Sequence, residues 1–134
     1  MQSMNRIEYN SEFKINGNTI GINHPTYFIA DIAANHDSSI TRAKELIWAA
    51  KESGADAAKF QHFSAKSIVS DIGFKNLGSQ KSHQSKWKKS VFEVYNDASL
   101  KMDWTNELKE TCDKAKITFF TSPYSFEIVD QIDQ

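Results

Sequence analysis

Tyr27-Phe28-Ile29-Ala30-Asp31-Ile32 and Ala57-Ala58-Lys59-Phe60-Gln61, two short apolar runs whose starts lie 30 residues apart, decide the fold class. Each is almost continuously apolar, the pattern of a strand buried on both faces, as in a parallel sheet. Between them Ala43, Leu46, Ile47 and Ala50 recur at i, i+3, i+4 and i+7, which predicts an amphipathic helix. Ser38 or Ser39 is placed to cap its start, and Gly54 to end it in a left-handed turn. Strand, helix and strand at this spacing form a βαβ unit.

Downstream, residues 62–84 carry Ser, Gly, Lys and Gln without a clear period, which predicts a long connection. Trp87, Val91, Val94 and Tyr95 then recur at helical spacing. Asp103 is placed to cap a further helix whose Trp104, Leu108, Cys112 and Ala115 share one face. Ile117-Thr118-Phe119-Phe120-Thr121 predicts a third strand, Ser122-Pro123 stops it, and Phe126 to Ile132 opens another helix. Upstream, residues 6–22 alternate apolar and polar around Asn-Gly, the pattern of a small hairpin. The expected organisation is a β-hairpin over residues 1–25 and an α/β domain over 26–134, its helices packed on a parallel sheet.

With 134 residues, 40% of them hydrophobic, the chain suits one domain. Sixteen Lys and Arg against 17 Asp and Glu give a net charge of −1, so no global field calls for nucleic acid or an anionic membrane. Lys75, Lys81, Lys86, Lys88 and Lys89 around Trp87 read as a solvated face. The single cysteine, Cys112, falls on the apolar side of its helix and reads as an inert core thiol. No apolar run approaches the roughly 18 residues of a membrane span, and no apolar stretch follows Met1 to Arg6, so a cytoplasmic location is expected.

Parallel α/β folds bind ligands beyond the carboxyl ends of their strands. Three polar clusters fall there: Asp31 with Asn35-His36, Lys59 with Gln61, and Thr121-Ser122-Pro123-Tyr124-Ser125. A charge buried unpaired costs several kcal/mol, so Asp31 and Lys59 need partners, either each other in a structural ion pair or a ligand. Lys59 and Gln61, two apart on a strand, share a face. A cation, an amide and nearby hydroxyls suit a small anion such as a phosphate or carboxylate. His36 reads as a cap of the following helix, His24, His62 and His83 share no metal-ligand spacing, and no H-x-x-x-H, C-x-x-C or glycine-rich phosphate motif occurs.

The stretch from Asn18-Thr19-Ile20-Gly21 through His24-Pro25-Thr26-Tyr27-Phe28-Ile29-Ala30-Asp31-Ile32-Ala33-Ala34-Asn35-His36 resembles the opening of the sialic acid synthases. Further matches follow in order. Ala43 to Ile47 and Ala49 to Gln61 resemble that family's first helix and second strand, and Ile117 to Tyr124 resembles its third strand with a Ser-Thr-Pro-Phe-type end. The resemblance implies a hairpin plus about three βα units of a (β/α)8 TIM barrel, incomplete in this chain because a whole barrel needs about 250 residues.

By the same resemblance, the function is condensation of phosphoenolpyruvate with N-acetylmannosamine or a related N-acetylated amino sugar, giving a nonulosonic acid and phosphate. A divalent metal, manganese or magnesium, is implied, with its ligands outside this chain. The resemblance gives Lys59 an anionic group of phosphoenolpyruvate to clamp, Ser122 and Thr121 hydrogen bonds to donate, and Gln61 substrate to orient. Asp31, where the family commonly has Glu, is implied as the catalytic residue that positions a sugar hydroxyl or the attacking water. Two departures stand out: Asp31 is one methylene shorter than Glu, and Thr121-Ser122 inverts the Ser-Thr order. Unpaired strand edges imply a homo-oligomer. The alternatives are another phosphoenolpyruvate-dependent sugar-acid synthase on the same barrel and a noncatalytic α/β module that oligomerises.

Overall fold

Asn16 and Gly17 have φ of 46° and 84°, the two positive values that a type I′ hairpin turn requires. The structure, a computed structural model, describes residues 9–76 and 86–133. In it the turn joins β1 (Glu12–Ile15) to β2 (Asn18–Gly21), paired antiparallel with Ile15 opposite Asn18. His24 Nε2 lies 3.0 Å from Glu12 Oε1 and ties the chain after β2 back to β1.

The two apolar runs and the third strand form one parallel sheet in the order β3 (Ile29–Ala33), β4 (Ala57–His62) and β5 (Thr118–Pro123). Asp31 lies opposite Lys59, Lys59 opposite Phe120, and Gln61 opposite Ser122. The hairpin meets this sheet at its start, where Asn16 Nδ2 donates to Thr118 Oγ1 at 3.4 Å. At the other end the Tyr124 backbone N–H donates to the His62 carbonyl at 3.0 Å. Alternate residues of β5 therefore turn their backbone nitrogens away from β4, and the missing N–H of Pro123 falls on that outer side, where it costs no bond to β4.

The crossover from β3 to β4 is α1 (Ile40–Glu52), capped by Ser39, whose Oγ accepts from the Arg42 N–H at 3.3 Å. Gly54, at φ 85°, ends it in a Schellman turn: the Gly54 N–H donates to the Lys51 carbonyl at 3.0 Å and the Ala55 N–H to the Ala50 carbonyl at 3.1 Å. Among the described residues, four α-helices interrupt the return to β5. Two, α2 (Ala65–Ile68) and α3 (Asp71–Asn76), stand where the sequence predicts a period-free connection; Ser70 Oγ accepts from the Gly73 N–H at 3.0 Å to start the second. Such one-turn helices are too short to show a period. Next, α4 (Val91–Ala98) begins with a capping box between Ser90 and Glu93, so Trp87 precedes it instead of lying in it.

Asp103 does not cap the following helix. A 3₁₀ turn, Met102–Trp104, runs directly into α5 (Thr105–Ala115), whose start takes no side-chain cap. Like α1, α5 ends in a Schellman turn, but with Lys116 at φ 55° in the glycine position. A left-handed conformation costs a β-carbon-bearing residue about 1 kcal/mol. Replacing Lys116 by Gly is therefore expected to stabilise the chain by roughly 0.5–1 kcal/mol and Gly54→Ala to destabilise it by about as much. Urea unfolding of the two variants beside the wild type measures both signs. The last element, α6 (Phe126–Ile132), is capped by Ser125, which accepts from the Ile128 N–H at 3.3 Å.

One face of the sheet carries the core. Ala43, Ile47 and Ala50 of α1 and Leu108, Cys112 and Ala115 of α5 pack on Ile32, Ala58 and Phe60. Burial pushes the Cys112 thiol up to about 12, which makes it unreactive. Lys75 and Lys89 of the basic stretch pair with Asp71 and Asp97, each at 2.6 Å; Lys81 and His83 lie outside the described residues. Among the described residues no helix is long and apolar enough to cross a membrane.

Candidate anion site

On β4, side chains alternate between the two faces of the sheet. Ala58, Phe60 and His62 are buried under the helices, whereas Lys59 and Gln61 are half-buried on the opposite face. The parallel register carries this alternation to the neighbouring strands, placing Asp31 and Phe120 beside Lys59, and Ser122 beside Gln61. Asp31, Lys59, Gln61 and Ser122 thus fall on one face of the sheet, toward the carboxyl ends of the strands; it is open at Asp31, and at Gln61 it borders a cavity of about 260 Å³ that Ile68, Phe74 and Tyr95 also line. Nearer the start, the ring of Tyr27 approaches Phe120 at 6.5 Å between centroids and its hydroxyl donates to Thr118 Oγ1 at 2.8 Å. This makes that end of the face the more apolar one.

Lys59 Nζ stands 3.4 Å from Asp31 Oδ1, with side chains 30% and 55% exposed. A pair this long and this wet contributes at most about 1 kcal/mol. An incoming phosphate or carboxylate, charged and able to take several hydrogen bonds, can therefore displace Asp31 from the ammonium. The site offers a cation, an amide and a hydroxyl on one side and a displaceable carboxylate on the other.

Thr121 does not join this set. Consecutive strand residues point to opposite faces, so with Ser122 on the open face Thr121 turns under the helices. Its Oγ1 lies 2.5 Å from His62 Nδ1 and 3.4 Å from the Phe60 carbonyl, to which it donates. His62 in turn reaches Thr105 Oγ1 with Nε2 at 2.9 Å. Burial pushes the His62 imidazole down to about 4. Metal-ligand spacing does not single out this histidine; the signal that finds it is the alternation Ala58, Phe60, His62, which sends it into the core.

His36 and Asn35 serve the turn after β3. His36 is fully buried, its Nδ1 accepts from the Ser38 N–H at 3.2 Å, and Trp104 lies edge-on at 5.8 Å. Desolvation lowers its pKa. Asn35 Nδ2 donates to the Ile32 carbonyl at 3.0 Å. A separate groove of about 600 Å³ runs on the helix side past Ser64, Ser99, Lys101 and Trp104. Among the described residues no group of three His, Cys, Asp or Glu side chains comes together to hold a metal.

Residues 46–134 match the model of the NeuB family. The chain belongs to the NeuB family. Its relatives include the pseudaminic acid synthase of Helicobacter pylori, 30% identical over 81% of this chain and 32% of that protein. The N-acetylneuraminate-9-phosphate synthase of Mus musculus is 35% identical over 79% of the chain and 28% of that protein. The NeuB-family chain thus spans about a third of the length of the curated relatives it matches. In fold it is similar to the N-acetylneuraminic acid (sialic acid) synthetase of Leptospira borgpetersenii, with a TM-score of 0.70, 23% identity and coverage of 91% of this chain and 37% of that one. Family members are nonulosonic acid synthases, which are enzymes of sugar-acid biosynthesis.

Proposed function

We propose that this chain supplies the phosphoenolpyruvate-binding part of a cytoplasmic nonulosonic acid synthase, its hairpin and three βα units being one portion of a (β/α)8 barrel. One observation carries the reading: Lys59, Gln61 and Ser122 share one face of the sheet, with the ammonium held, among the described residues, by a long, exposed pair to Asp31. Phosphoenolpyruvate presents a carboxylate and a phosphate, either of which fits a cation flanked by an amide and a hydroxyl. When the ligand takes Lys59, the Asp31 carboxylate loses its counter-ion. It is then free to accept a proton from a sugar hydroxyl or from the attacking water, the role of a general base.

An N-acetylated amino sugar is the proposed acceptor. The manganese or magnesium implied by the resemblance would take its ligands from residues this chain does not contain. A second copy of the chain is the proposed cover for the outer edges of β3 and β5, which are unpaired among the described residues and beside which Ile29 and Phe126 are exposed.

Titration calorimetry with phosphoenolpyruvate tests the assignment. A hydrogen bond to a charged group contributes about 1.5–3 kcal/mol, so Lys59→Met is expected to weaken binding by roughly 10- to 100-fold. Asp31→Asn, which removes the competing carboxylate, is expected to bind at least as tightly as the wild type. Equal affinity in Lys59→Met would return Lys59 to a structural role beside Asp31.

A further inference from the structure

We propose that His62 is a positioning residue for the candidate anion site, holding Gln61 and Ser122 in place on the open face through bonds it makes on the helix-covered face. The inference rests on the reading of Lys59, Gln61 and Ser122 as the anion-binding set. His62 follows Gln61 directly on β4, and Thr121 precedes Ser122 directly on β5. The imidazole joins the two strand ends through Thr121 at 2.5 Å and the first residue of α5 through Thr105 at 2.9 Å. It has no exposed surface.

The strut acts where the backbone ladder reaches its end. Opposite His62 stands Pro123, whose nitrogen faces away from β4, and the Tyr124 N–H donates to the His62 carbonyl at 3.0 Å. The His62 imidazole adds a side-chain link between the same two strand ends, those that present Gln61 and Ser122. One proton arrangement satisfies every member: Nδ1–H donates to Thr121 Oγ1, the Thr121 hydroxyl donates onward to the Phe60 carbonyl, and the Thr105 hydroxyl donates to Nε2. It requires a neutral ring, and burial keeps the ring neutral down to about pH 4. A fully satisfied buried network rigidifies its surroundings, and a half-satisfied one loosens them. A site that depends on placement within a fraction of an ångström feels that difference.

The test compares the wild-type chain with His62→Phe, Thr121→Val and His62→Asn by two readouts, amide hydrogen exchange at Gln61 and Ser122 and phosphoenolpyruvate affinity. His62→Phe and Thr121→Val are expected to speed exchange at both amides, to leave exchange in α1 unchanged, and to weaken binding about 5- to 10-fold. His62→Asn places an amide nitrogen where Nδ1 stood, and is expected to restore binding to within about 2-fold of the wild type. Wild-type exchange at Gln61 and Ser122 in both disruptive variants overturns the proposal. Should His62→Phe fail to fold, Thr121→Val, which removes one hydroxyl at constant volume, decides the same question alone. Faster exchange at the two amides in a chain that takes up no phosphoenolpyruvate upholds the strut and refutes the ligand assignment alone.

Discussion

Phe60→Ala is expected to lower the free energy of unfolding by about 3–5 kcal/mol, the range for truncating a buried phenylalanine. Phe60 sits on the central strand with no exposed surface, and its ring stacks on Phe119 at 5.9 Å. Around it Ile32, Ile47, Leu108 and Cys112 belong to two helices and a neighbouring strand, which cannot all move inward together to fill the gap. Because a single domain is stable by only about 5–15 kcal/mol, the loss removes a large share of the total. For a chain of this size it corresponds to a fall in Tm of roughly 10–15 °C. Thermal and urea unfolding measure it; a loss below about 1 kcal/mol would mean that Phe60 is not at the centre of the core.

Acid should produce the second large effect. Burial lowers the pKa of His62 from 6.5 to about 4, and that of His36 in the same direction. Between pH 6.5 and 4 the unfolded chain therefore binds protons that the folded chain refuses, and stability falls as pH falls. One pKa unit is 1.36 kcal/mol, so His62 alone removes about 3 kcal/mol across this window, and His36 adds to the loss. Cys112 bounds stability from the other side. Its thiol is raised from 9.0 to about 12, so stability also falls as pH rises above about 9. Urea midpoints from pH 4 to 8 should decline steeply below pH 6.5 in the wild type and much less in His62→Asn. Equal slopes in the two proteins would contradict the assignment of the buried neutral ring to His62.

The parallel sheet is legible in the sequence because both strands of the βαβ unit are short apolar runs and the helix between them has an unbroken period and a glycine stop. Lys59 and Gln61 are legible for a related reason: polar residues two apart in an apolar strand must share a face. Thr121 is misplaced by the sequence because it and Ser122 look like one hydroxyl cluster, although adjacent strand residues cannot serve the same side. The burial of His62 is legible from the alternation Ala58, Phe60, His62, but its role is not, because its partners come from β5 and α5, 59 and 43 residues away, and only the folded sheet brings them together. Asp103 looks like a cap because it precedes an apolar period, yet a 3₁₀ turn with its own backbone bond needs none: the Trp104 N–H donates to the Lys101 carbonyl at 3.1 Å. For Asp31 and Lys59 the residues alone leave a structural pair and a ligand site equally open. The structure supplies the pair, and its length and exposure leave the ammonium available.

The most direct test is a phosphoenolpyruvate titration of the isotope-labelled chain, followed by the backbone amide resonances. If the open face binds the anion, the resonances of Lys59, Gln61 and Ser122 move together and saturate at one affinity, while those of Ser64, Ser99 and Lys101 in the helix-side groove stay in place. Shifts confined to that groove, or no saturable shift at Lys59, would contradict the assignment of the anion to the open face of the sheet.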